Sequence, residues 1–137
     1  MMPSNQHMQT FLPLPSFTAS AQALDYRRLG KQRVEAMQIL NTLTGKSTGW
    51  KTHPAVKMWV GHENALAAYM DACIDEWVSR GYRNTMRVVR PTGIIMPPWF
   101  GDDAFHASHR SNLLRKSPDF YSRFGWIEGP DLPYVWP

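Results

Sequence analysis

One stretch concentrates the residue types that do chemistry: Leu24-Asp25-Tyr26-Arg27-Arg28-Leu29-Gly30-Lys31-Gln32-Arg33-Val34-Glu35-Ala36. It holds two carboxylates that can carry protons or balance positive charge, and four cations that can hold an anion. On a helix, residues three and four apart share a face. Asp25, Arg28, Gln32 and Glu35 then line up, with Lys31 at the edge. Leu29, Ala36, Leu40 and Leu43 form an apolar stripe beside them. Surface charge ordinarily lies opposite a helix's buried side, not flush against it. Two readings follow. One is a helix laced with ion pairs such as Lys31–Glu35. The other is a polar site cut into the edge of the core.

A second stretch repeats the anomaly. His106, His109, Arg110 and Leu113 share a helical face that runs into Phe105, Leu113 and Leu114. The economical packing brings the two strips together. It would form a pocket with Asp25, Arg28, Lys31 and Glu35 on one wall and His106, His109 and Arg110 on the other. His106-x-x-His109 with His53 or His62 would supply enough nitrogen ligands for a metal. No H-E-x-x-H pattern is present, and the neighbouring arginines would repel a cation. No metal or cofactor is therefore expected, and a phosphate or nucleic-acid backbone suits the set better. The plainer reading of each single histidine is a capping or hydrogen-bonded side chain, favoured for His62 beside Gly61 and for His53 before Pro54.

The elements that must position these residues follow from the rest of the chain. Its 137 residues suit one domain, 1–137, with 1–8 a polar lead-in. Hydrophobic residues are 43% of the chain, and six Trp, five Tyr and six Phe are a heavy aromatic load. The net charge of +4 and a pI near 9.5 favour an anionic partner. The basic residues cluster in 27–33 and 110–116. The lone cysteine, Cys73, rules out an internal disulfide and falls on an apolar helical face, as a buried inert thiol would. With no run of 18 apolar residues and no signal-peptide core, a soluble, cytoplasmic, monomeric protein without membrane contact is expected.

Gln9 to Pro15 reads as an extended arm. Ser16 caps a helix from Phe17, and a break near Asp25–Arg28 leads into a long helix ending near Leu43. Gly30 costs that helix about 1 kcal/mol against Ala, unless something approaches its backbone closely. Gly45-Lys46-Ser47 is not a phosphate loop, because position 40 is Leu40 rather than glycine. Pro54 opens the next helix, which Gly61-His62 interrupts. Leu66, Tyr69, Met70, Cys73 and Trp77 mark a helix from Glu63 to Ser79, closed by Gly81. Residues 82–98 form a loop. Asp102 or Asp103 caps a helix through Lys116. A short helix follows, with Phe120, Tyr121 and Phe124 facing in. The aromatic tail packs back over the helices. The fold class is all-α: a compact single-domain helical bundle with an extended N-terminal arm and a C-terminal tail.

Leu-Asp-x-x-Arg-Leu-Gly-Lys-Gln-Arg-Val-Glu at 24–35 is followed by His-Pro-Ala-Val-x-Met-Trp at 53–59 and by Phe-His-x-Ser-His-Arg-Ser-Asn-Leu-Leu-Arg-Lys at 105–116. In that order they resemble the pyrimidine-dimer DNA glycosylase (phage endonuclease V-like) family, and more closely a bacterial branch of it. The resemblance runs from Met8 to Pro137. Against the phage enzyme it is clearest in Tyr26-Arg27-Arg28-Leu29, Gly61-His62 and Arg80-Gly81-Tyr82. It implies an all-helical protein that kinks DNA at a pyrimidine dimer and flips out a base. Such an enzyme attacks the sugar with an N-terminal threonine amine, assisted by a glutamate, and then cleaves the strand by β-elimination.

This sequence departs from that pattern twice. Starts at Met1, Met2 or Met8 are followed by Met2, Pro3 or Gln9, never by threonine. Arg28 stands where the family's glutamate would be. Lys31 is then the available internal amine, if burial and nearby cations lower its pKa. Asp25 or Glu35 would be the carboxylate. The expected function is a base-excision glycosylase, with or without abasic-site lyase activity, for a damaged or modified pyrimidine in double-stranded DNA. Asp25, Arg28, Lys31, Glu35, His106 and His109 are the catalytic candidates. Arg27, Arg33, His53, His62, Arg110, Arg115 and Lys116 are the DNA-binding candidates, and Trp50, Trp59 and Trp99 are the stacking groups. The alternatives are a non-catalytic DNA-binding module and an enzyme for a phosphorylated, nucleotide-like small molecule.

Overall fold

A computed structural model of the chain describes residues 8–137. The expected lead-in, with the Met1 and Met2 starts, lies outside those residues apart from Met8. Met8 is buried in the core and is no part of a solvated lead-in. Six α-helices follow in order: α1 Phe17–Ala23, α2 Tyr26–Leu43, α3 Pro54–Lys57, α4 Glu63–Ser79, α5 Asp103–Lys116 and α6 Pro118–Tyr121. A 3₁₀ turn, Ser122–Phe124, comes last. Among the described residues there is no strand, so the fold is all-α.

The helix starts follow from local side chains. Ser16 Oγ accepts the Ala19 N–H at 3.1 Å, His53 Nδ1 the Ala55 N–H at 3.0 Å, and Asp102 Oδ2 the Phe105 N–H at 3.3 Å. Asp25 does the same for α2, accepting the Arg28 N–H at 3.4 Å. The break between α1 and α2 is held by Arg80, whose guanidinium donates to the carbonyls of Leu24 at 2.8 Å and Gln22 at 3.1 Å. Gly81 ends α4 in the left-handed region, φ +90°, where a side chain would be strained.

α4 packs against both α1 and α2. Leu29, Ala36 and Ile39 of α2 meet Leu66, Tyr69, Met70, Cys73 and Ile74 of α4 in the core, joined by Phe105 and Leu113 of α5 and by Tyr121. The expected stripe is corrected at its far end. Leu40 and Leu43 are only partly buried and Ile39 takes the central place. A period of 3.6 drifts away from any fixed spacing of three and four over five turns. Phe124 is also corrected: it is 39% exposed while Tyr121 beside it is fully buried. Gly30 has a specific reason. A Cβ there would sit 2.7 Å from Cζ3 of Trp77, so the bare backbone admits the indole.

The arm, residues 8–13, runs extended through the protein and is buried with Met8, Phe11 and Leu12 in the core. A buried extended segment with no strand beside it needs side chains for its backbone hydrogen bonds. Gln32 Oε1 accepts the Phe11 N–H at 2.6 Å and its Nε2 donates to the Gln9 carbonyl at 2.9 Å. The Tyr69 hydroxyl donates to the Phe11 carbonyl. His109 Nδ1 accepts the Leu12 N–H at 2.9 Å, and His106 Nδ1 bonds the Leu12 carbonyl at 2.7 Å. Arg110 Nη1 donates to the Pro13 carbonyl at 2.8 Å. The tail is fastened to the outer face of α5. Val135 N–H donates to Ser108 Oγ at 3.1 Å, Leu132 N–H to Ser111 Oγ at 2.9 Å, and Arg110 pairs with Glu128 at 2.8 Å.

Candidate active site

The start of α2, the arm and the end of α5 enclose an open pocket of about 400 Å³. Asp25, Arg27, Arg28, Lys31 and Glu35 line it from α2, Gln9 and Phe11 from the arm, and Lys116 and Ser117 from the end of α5. Helical spacing puts the α2 residues on one side. The arm makes the floor because Gln32, on the same strip, is spent on holding it. Four cations reach this one opening.

The two carboxyls differ. Asp25 is saturated: it caps α2, accepts Arg28 Nη1 at 3.1 Å and accepts the Tyr121 hydroxyl. Burial pushes its carboxyl up, but the Tyr121 and Arg28 hydrogen bonds more than offset this and hold it below the usual carboxylate range. Arg28 also donates to Ser117 Oγ at 3.0 Å, which ties the two ends of the pocket together. Glu35 is only 5% exposed. Burial raises its carboxyl to about 7; the Lys31 ammonium and the Gln9 amide pull the other way and do not cancel it. Lys31 Nζ is 4.0 Å away and largely in solvent. A carboxyl that gains and loses its proton near neutrality on the wall of a cationic pocket suits general acid chemistry.

The histidine strip does not form the second wall. His106, His109 and Arg110 do not line the pocket, because the arm lies between them and α2 and engages His106 Nδ1, His109 Nδ1 and Arg110 Nη1. His106 Nε2 accepts the Gly101 N–H at 2.9 Å, so both of its nitrogens are committed. Burial lowers His106, and burial with the neighbouring His106 pushes His109 down to about 3. Both rings are neutral at pH 7 and offer no charge to a phosphate. Among the described residues no group of three or more His, Cys, Asp or Glu could hold a metal ion. Cys73 is fully buried and its thiol is pushed up to about 12 by that burial.

The remaining candidates scatter. Arg27 and Lys116 stand in the pocket. Arg33 turns away, donating to Asn84 Oδ1 at 2.9 Å and lying 4.5 Å over the Trp77 ring. Arg115 reaches the tail carbonyl of Pro130 at 3.2 Å. His53 is a helix cap, and His62 lines a separate hollow with Gly61 and Ile95. Trp59 cannot stack on a base: it is fully buried and its Nε1 donates to Thr10 Oγ1 at 3.1 Å. Trp99 packs on it at 5.0 Å and donates to the Met58 carbonyl at 3.1 Å. Trp50 does stand beside Lys31 and Glu35, in an adjoining hollow.

One feature of this face went unpredicted. Tyr26, Trp77 and Tyr82 form an aromatic cluster next to the pocket, with Tyr26 51% exposed and stacked on Trp77 at 5.6 Å. All three rings were visible in the sequence, but no local spacing joins Tyr26 to Trp77 and Tyr82 some fifty positions on. The Gln9 and Phe11 floor left no trace beyond the arm's prolines.

No helix among the described residues is long and apolar enough to cross a membrane. No curated protein and no solved structure matches the chain. The family model for pyrimidine dimer DNA glycosylase matches residues 8–89. That span takes in the arm and α1 to α4, and with them seven of the nine pocket residues; Lys116 and Ser117 fall beyond it. A match over more than half the chain, covering the element that carries the pocket, places this protein in the pyrimidine dimer DNA glycosylase family.

Proposed function

We propose that the pocket takes the deoxyribose of a damaged or modified pyrimidine in duplex DNA and excises the base. The observation that carries this reading is Glu35, an almost buried carboxyl with a pKa near 7 on the wall of a pocket that four cations reach. Arg27, Arg28 and Lys31 supply the charge that holds the flanking phosphates. Asp25 and Tyr121 act through Arg28 by fixing its guanidinium. His106, His109 and Gln32 act through the arm that forms the pocket floor. Glu35 gives its proton as the glycosidic centre reacts, a role that Asp25, already saturated with donors, is badly placed to take. Family membership supports DNA as the substrate.

The test uses labelled duplexes carrying a thymine dimer, an abasic site or no damage. Wild-type protein is expected to cut the N-glycosidic bond in the damaged strand, read on the dimer as alkali-labile strand cleavage because the cyclobutane keeps the excised base tethered, and Glu35→Gln to slow this excision by about 10²–10⁴ while binding persists. Tight, salt-sensitive binding without excision in any damaged duplex would instead identify a DNA-binding module. Salt-insensitive, weak DNA binding would favour a small phosphorylated substrate.

A further inference from the structure

Attack at C1′ of a deoxyribose needs a nucleophile, and most groups on the pocket wall are already engaged. Asp25 serves the helix cap, Arg28 and Tyr121. Ser117 Oγ is held by Arg28. Lys31 is the charge partner of Glu35, 4.0 Å away. Lys116 remains. It lines the pocket and, among the described residues, forms no ion pair or hydrogen bond.

We propose that Lys116 is the attacking amine of this pocket and forms a covalent imine with C1′, an inference that rests on the base-excision reading above. The ammonium is held below the ordinary lysine value first by desolvation, then by Arg28, Arg115 and Lys31. The net shift is downward although the carbonyl end of α5 favours a cation. Crowding by like charges is one way proteins free a lysine amine for reaction at neutral pH.

The step balances within the pocket. The Nζ lone pair forms the bond to C1′ while the C1′–N1 bond breaks and carries its electrons to the departing pyrimidine. That base takes one proton from the new ammonium. The Glu35 carboxyl gives its proton to O4′ as the C1′–O4′ bond opens, leaving a protonated imine between Lys116 and C1′. On an abasic site the same amine condenses with the C1′ aldehyde and releases water.

The test is borohydride trapping on an abasic-site duplex, run beside excision on a damaged duplex. Wild-type protein is expected to give a trapped adduct, with the sugar remnant on Lys116 in peptide mapping. Lys116→Arg keeps the positive charge but not the nucleophile. It should cut trapping to about a hundredth or less while DNA affinity stays within about threefold. Lys57→Arg, at an exposed lysine that does not line the pocket, should trap normally. Persistence of the adduct in Lys116→Arg, or its mapping to Lys31 or to the chain's α-amine, overturns the proposal. Excision by wild type with no trappable adduct also overturns it, while leaving the excision reading intact. Absence of both excision and trapping overturns both. Thermal melts of the two Arg variants confirm that they are folded.

Discussion

The polar strips of α2 and α5 look alike in sequence and end in opposite places. Each sets titratable side chains flush against a buried face. On α2 the strip opens to solvent at Asp25, Arg28, Lys31 and Glu35, and only Gln32 is spent on the interior. On α5 the strip closes over the arm. His106 and His109 hold the two sides of the Leu12 peptide unit, and Arg110 holds Pro13. One strip is left with a carboxyl poised near neutrality, and the other has neutral imidazoles. A polar group beside a core is therefore a site only if the backbone has not already claimed it.

The largest effect expected from breaking this contrast is on the closed side. His109→Ala leaves a cavity and an unpaired Leu12 amide, and should cost about 2–5 kcal/mol in denaturant unfolding. A loss well below 1 kcal/mol would mean that the arm is not held by α5. The pH dependence is specific. His109 is depressed in the folded state, so its contribution is fully present above the unfolded value near 6.5. It should be lost as pH falls from there toward 3, and the wild-type stability curve should slope accordingly.

On the open side the sign reverses. The folded Glu35 carboxyl is raised from 4.5 to about 7, so the unfolded chain loses that proton first. Stability should then fall as pH rises through that window. Glu35→Gln should make the protein more stable at pH 8 by about 2 kcal/mol while it loses activity. A variant equally destabilised at pH 5 and pH 8 would show Glu35 to be an ordinary structural pair with Lys31.

The smallest effect sharpens the contrast among arginines. Arg27→Ala should reduce the salt dependence of DNA binding by about one phosphate contact and barely move stability. Arg110→Ala should leave the salt slope unchanged and lower the melting temperature, because its guanidinium serves Glu128 and Pro13. Equal salt slopes for the two variants would erase the distinction.

Helix periodicity, capping residues and glycines determined most of the architecture from the sequence alone. Each is set by neighbours within four positions: Ser16, Pro54 and Gly81 do locally what their types require. The same short-range logic brought Asp25, Arg28, Lys31 and Glu35 to one helix face. What lies across from that face depended on a contact about a hundred residues away along the chain, between Leu12 and His109. No local pattern announces that an extended arm will be buried, since its hydrogen bonds go to side chains on α2, α4 and α5. That insertion alone decided that the histidines are structural, that Trp59 is unavailable to a base, and that Lys116 rather than the His106–His109 face lines the same pocket as Glu35.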